Sequence, residues 1–119
     1  MANIEAARPV ERERSLRGIA AAPGYIVGRA RVFADPLDAG QLAPGDIVVA
    51  FTASPRWLPL FGTLGAFVAE SGGSLSNAAL AARECGIPAV LGVPGATRVI
   101  RDGTRIEVDG TAGTVRVLS

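Results

Sequence analysis

The chain has 119 residues, 49% of them hydrophobic, and a formal net charge of +1. That suits one domain with its own core, and the near-neutral balance, without a lysine- or arginine-rich run, argues against a nucleic acid or a membrane surface as partner. Aromatic residues make up 5% and histidine is absent, which removes a base-stacking platform, the commonest general base and the commonest metal ligand together.

Residues 1–15, "MANIEAARPVERERS", mix glutamate and arginine without strand alternation or a helical face, so a flexible charged arm is expected there. It has no apolar stretch resembling a signal peptide, and nowhere in the chain is there a run fit to span a bilayer. A cytoplasmic location is the default reading. The domain itself is expected over 16–119. "LRGIAAAPGYIVGRARVF" reads as two β-prone runs joined at the Pro23-Gly24 turn, and 35–46 reads as a loop. "DIVVAFT" is a continuous apolar run, the pattern of a strand buried on both faces. Pro55 and Pro59 in the next segment preclude a long helix but allow a short helical turn near 60–64.

"AFVAE" predicts a second buried strand, ending at Gly72-Gly73. A helix is expected from about Ser76 to Cys85, stopped by Gly86 with Pro88 beyond it. Its alanines, Ala78, Ala79, Ala81 and Ala82, allow close packing on a sheet. "PAVLGV" predicts a third buried strand, so 66–70, 76–85 and 88–93 form a strand–helix–strand crossover with parallel strands. One or two helical turns follow in "GATRVIRDG". "TRIEVDGTAGTVRVL" closes the chain as a hairpin with its turn at Asp109-Gly110. The fold class is therefore α/β, with strands at both ends and the crossover in the middle.

The stretch "GGSLSNAALAARECGIPAV" carries the chemistry. A helix N-terminus presents unpaired N–H groups and the positive end of the helix dipole, so it favours anions. Gly72 and Gly73 let backbone approach a phosphate closely, Ser74 and Ser76 add hydroxyls, and Arg83 lies two turns below Ser76 on the same face. Gly-Gly before a helix is common, so these residues alone favour an ordinary capped turn over a phosphate site. Cys85 on an alanine-rich helix reads as a small buried side chain rather than a reactive thiol, Asp102 and Asp109 as turn formers rather than metal ligands, and Trp57 as core in preference to a docking anchor. Glu70, just before the turn, either tunes the site or ends the strand.

The same stretch resembles the phosphohistidine, or swivelling, domain of the phosphoenolpyruvate-utilising enzymes. That family's pattern is a Gly-Gly turn, a Ser-His pair opening a helix, Ala-Arg near the helix end and then Gly-Ile-Pro-Ala-Val. Gly72-Gly73, Ser76, Ala82-Arg83 and Gly86–Val90 match it. The resemblance extends over about 16–118, through "LRGIAAAPGYIVGRARV", "PGDIVVAFTASPRWLPLFGTLGAFVAESGG" and the closing hairpin. It implies a swivelling β/β/α domain whose histidine takes a phosphoryl group at a nucleotide site and delivers it elsewhere. It also implies ATP and magnesium on a separate ATP-grasp-like domain or protein, a further acceptor-substrate domain, and no cofactor or metal on this domain itself. The phosphate-binding residues it implies are Gly72, Gly73, Ser74, Ser76 and Arg83.

The pattern breaks at its central residue, because Asn77 stands where the histidine is expected. The amide nitrogen shares its lone pair with its own carbonyl, so Asn77 is no nucleophile, although it approaches imidazole in size and hydrogen bonding. Three accounts stand open: a carrier silenced by replacement, a natural relative kept for binding or regulation, and an acceptor moved to Ser76 or Ser74, the last with no visible base. The opening methionine and closing strand suggest a stand-alone protein.

Overall fold

The computed structural model describes residues 15–34, 36 and 42–118. The expected arm, apart from Ser15, lies outside the described residues, as does half of the loop expected over 35–46. Among the described residues eight strands form in chain order: β1 (Ser15–Arg17), β2 (Ile19–Ala22), β3 (Tyr25–Phe33), β4 (Ile47–Ala50), β5 (Ala66–Ala69), β6 (Ala89–Leu91), β7 (Arg105–Asp109) and β8 (Thr114–Val117). Two α-helices, α1 (Asn77–Cys85) and α2 (Ala96–Val99), lie between β5 and β7, and a 3₁₀ helix spans Pro55–Leu60.

The strands are ordered β1-β8-β7-β3-β4-β5-β6-β2. β3 joins two sheets: its first half, Tyr25 to Arg29, pairs antiparallel with β7, and its second half, Ala30 to Phe33, pairs parallel with β4. β4, β5 and β6 continue in parallel. β1 and β2 stand at opposite ends of this order yet are separated only by Gly18, so one bent segment covers β8 with one half and β6 with the other. The Gly18 amide, at the bend, donates to the Gly113 carbonyl.

Burial follows the pleat. β4, β5 and β6 are buried on both faces, which is why their sequences read as unbroken apolar runs. One face, with Val48, Ala50, Phe67, Ala69, Ala89 and Leu91, packs under α1 and the 3₁₀ helix. The other, with Ile47, Val49, Ala66, Val68 and Val90, packs on Ile106, Val108 and Val115 of the hairpin and on α2. The result is a layer of helix over two layers of β, the β/β/α domain expected. The crossover, its parallel strands and the closing hairpin all form; Asp109 holds the turn by accepting from the amides of Thr111 and Ala112.

Two expectations are corrected. The short helical turn lies at Pro55–Leu60, ahead of 60–64, because Ser54 caps it by accepting from the Arg56 amide and Pro55 opens it, where a missing N–H costs nothing. Cys85 is exposed, not buried: only Ala78, Ala79 and Ala82 of α1 turn fully inward. Trp57 is core, its ring beside those of Phe33 and Phe67.

Candidate functional site

The site is built at the carboxyl end of β5, where the chain leaves the parallel strands and turns back over them as α1. Glu70 ends this passage; its amide donates to the Ala50 carbonyl, so it still follows the β4 edge. Ser71 ties the turn to its neighbours: its hydroxyl accepts from the Ala53 amide and its carbonyl from the Gly92 amide. Gly72 then adopts φ +105°, and a Cβ there would stand 2.9 Å from the Ala53 methyl. Both conformation and space demand glycine.

Ser76 is the N-cap of α1. Its hydroxyl accepts from the Ala79 amide at 3.2 Å and donates to the Gly73 carbonyl at 2.8 Å, closing the turn onto the helix. Asn77 is the first helical residue and is exposed. The amides of Asn77 and Ala78 have no carbonyl one turn earlier in the helix, so the dipole's positive end faces outward beside the Asn77 side chain. At the other end Gly86, with φ 73°, donates to the Ala82 and Arg83 carbonyls and stops the helix.

The fold brings Gly72, Gly73, Ser74, Ser76 and Asn77 together in one turn. Arg83 reaches back to that turn by its backbone side: Nη2 donates to the Ser74 carbonyl at 2.8 Å and Nε to the Ala21 carbonyl of β2 at 2.8 Å. Leu75 is 88% exposed and Leu80 49% exposed, so two leucines flank Asn77. Among the described residues no three histidine, cysteine, aspartate or glutamate side chains cluster as metal ligands would. Nor is any described helix long and apolar enough to cross a membrane.

Two charged groups outside the turn were not legible as partners. Glu70 accepts from both the amide and the hydroxyl of Thr97 in α2, supplying the cap that Gly95 lacks. Those bonds hold its carboxyl below the usual carboxylate range, against the opposing effect of burial. Asp46 is the one charged residue buried among those described. It accepts from Arg29 and from the Ala43 amide and lies 3.7 Å from Arg31. Burial pushes its carboxyl up, and the Arg29 hydrogen bond, the Ala43 amide and the two guanidinium charges together bring it below its ordinary value.

Residues 42–113 match the family model described as PEP-utilising enzyme, mobile domain. The chain is 47% identical over 107 residues to a rifampicin phosphotransferase of a Streptomyces species, covering 90% of this chain and 12% of that protein. It is 40% identical over 102 residues to a probable phosphoenolpyruvate synthase of Staphylothermus marinus, covering 84% of this chain and 12% of that one. It therefore spans about an eighth of the length of either relative. Among solved structures, an Enzyme I protein matches with TM-score 0.58 and 30% identity, over 65% of this chain and 32% of its own. With more than half of its residues matched by the family model and these identities over most of its length, the chain belongs to the mobile-domain family of the PEP-utilising enzymes.

Proposed function

We propose that this chain is a cytoplasmic module of the phosphoryl-carrier type, in which acceptance at the carrier position is silenced. The observation that supports it is the placement of Asn77: exposed, first in α1, on a turn held by Ser76 and by the left-handed Gly72. An imidazole there would attack a phosphorus of ATP on a separate ATP-grasp-like partner carrying magnesium. The N–P bond would form as the bond from that phosphorus to its leaving phosphate oxygen breaks, and a second transfer would pass the group to an acceptor domain. The carboxamide of Asn77 has no free lone pair on nitrogen, so the cycle stops before its first bond. An anion-binding role for this turn, Gly72, Gly73, Ser74 and Ser76 at the start of α1, is supported by the positive end of the helix dipole beside Asn77. No cofactor or metal is assigned to this domain.

A second reading, a binding or regulatory subunit, is favoured by the exposure of Leu75 and Leu80 beside Asn77. Two leucines in water around an inert amide suit docking without transfer.

The test is intact mass under non-acidic conditions after incubation with ATP, magnesium and a nucleotide-binding domain verified on its own carrier. The chain as it stands is run beside Asn77→His. A phosphoryl increment on the histidine variant alone is expected. An increment on the unaltered chain, mapped to Ser76 or Ser74, would mean a relocated acceptor. No increment on either would leave the docking reading in possession.

A further inference from the structure

Arg83 invites assignment as a ligand for the phosphoryl group, since it lies near the turn and carries charge. The fold engages it differently. Its Nε and Nη2 donate to two carbonyls that belong to different parts of the chain, Ala21 on β2 and Ser74 in the turn.

Ala21 is not an ordinary strand residue. Along the β2–β6 ladder Ala20 stands opposite Val90 and Ala22 opposite Ala89, so the register slips at Ala21 and no residue faces it. A bulge of this kind leaves the extra residue's backbone groups outside the ladder, and Ala21 is buried. The guanidinium therefore satisfies a carbonyl that the sheet has released. Its other bonded nitrogen holds Ser74, three residues before Asn77. The other ties of the turn named above, from Ser71 to Ala53 and Gly92 and from Ser76 to Gly73, run to neighbouring loops and the end of β6; among the described residues the Arg83 bond is the one that joins it to β2. A guanidinium is planar with donors in a fixed fork, so bonding both carbonyls fixes the spacing between bulge and turn.

We infer that Arg83 is a positioning residue: a strut between the β2 bulge and the Gly72–Ser76 turn that sets the height and direction of residue 77, with its charge secondary. This rests on residue 77 being the carrier position.

Lysine separates the two roles. It keeps the charge but concentrates its donors on one nitrogen, so it cannot span both carbonyls; glutamine loses charge and span together. Amide exchange is measured by NMR in the unaltered protein, Arg83→Lys and Arg83→Gln, and phosphorylation kinetics are measured with each change added to Asn77→His. In the unaltered protein, the Arg83 Nε–H should be observable at neutral pH and should not shift on titration with inorganic phosphate. Both substitutions should raise exchange of the 72–77 amides at least tenfold, with strand amides unmoved. Both should lower the maximal phosphorylation rate to a similar extent, with half-saturation by the partner unchanged. The proposal is overturned by a phosphate-dependent shift of the Nε–H, by unchanged turn exchange in both variants, or by a lysine variant that keeps the rate while glutamine loses it. If Asn77→His takes no phosphoryl group at all, the carrier reading fails, and the exchange measurements still decide whether the strut exists.

Discussion

The Glu70 carboxylate and Thr97 form a two-point contact, amide and hydroxyl donating to the same oxygen, and it joins the end of β5 to the start of α2. Glu70→Gln removes the charge that strengthens those bonds, and a loss of about 1–2 kcal/mol is expected. Urea unfolding at neutral pH measures it. The folded-state carboxyl is depressed, so its contribution is present above the unfolded glutamate pKa and fades as pH falls through the lower folded value. The gap between the unaltered protein and Glu70→Gln should therefore close on acidification below about pH 4. A gap that persists there would contradict the assignment.

Asp46→Asn should be more damaging. It takes the buried carboxylate from both Arg29 and Arg31, of which Arg31 keeps Asp102 at 3.1 Å. Arg29 is about half exposed and can turn to water, so the expected cost is about 2–3 kcal/mol, at or below the lower end of the range for a broken buried pair. The sign of the pH effect is the same as for Glu70: stabilisation is held above the unfolded aspartate pKa and lost as pH drops through the depressed folded one. Denaturation midpoints between pH 2 and 7 check both statements.

Ser76→Ala removes the acceptor for the Ala79 amide and should cost about 1 kcal/mol, while Ser76→Asp should retain most of it. Thermal unfolding of the two variants gives the comparison. Equal losses in both would mean the donation to the Gly73 carbonyl, which aspartate cannot make, is the more important of the two bonds.

Gly110→Ala tests how closely the hairpin turn approaches β2. A Cβ at 110 would stand 1.9 Å from the Ala22 carbonyl oxygen, a contact that backbone cannot relieve by rotating a side chain. A loss of about 3 kcal/mol or more is expected, read as a lowered denaturation midpoint. A near-neutral result would mean that the hairpin is free to lift.

The crossover was legible because its signals are local: four-residue apolar runs, Ser76 as cap and Gly86 as stop all act within a turn of the chain. The same holds for the Asp109-Gly110 turn. Asp46 was not legible, because it follows Pro44-Gly45 and looks like any turn aspartate, while Arg29 and Arg31 come from another strand. Cys85 misled because it shares the stripe of the buried Ala78 and Ala82, seven and three residues earlier, yet it is the last residue of α1, and the spacing does not say where along the helix burial stops. The bulge at Ala21 has no mark in "IAAA", and so the first partner of Arg83 was invisible. For the turn itself, sequence named the residues that meet, whereas the direction of the Arg83 donors needed the fold.

Closure of the strand order has a bearing on traffic between molecules. β2, last in the order, has the 110–113 turn against it, with the Gly113 carbonyl bonded to Gly18 and Gly110 pressed on Ala22. β1, at the other end, is three residues long. An open strand would offer any neighbouring surface a ladder of unpaired amides and carbonyls. With one end of the order covered and the other short, the described strands offer little free ladder to a neighbouring chain.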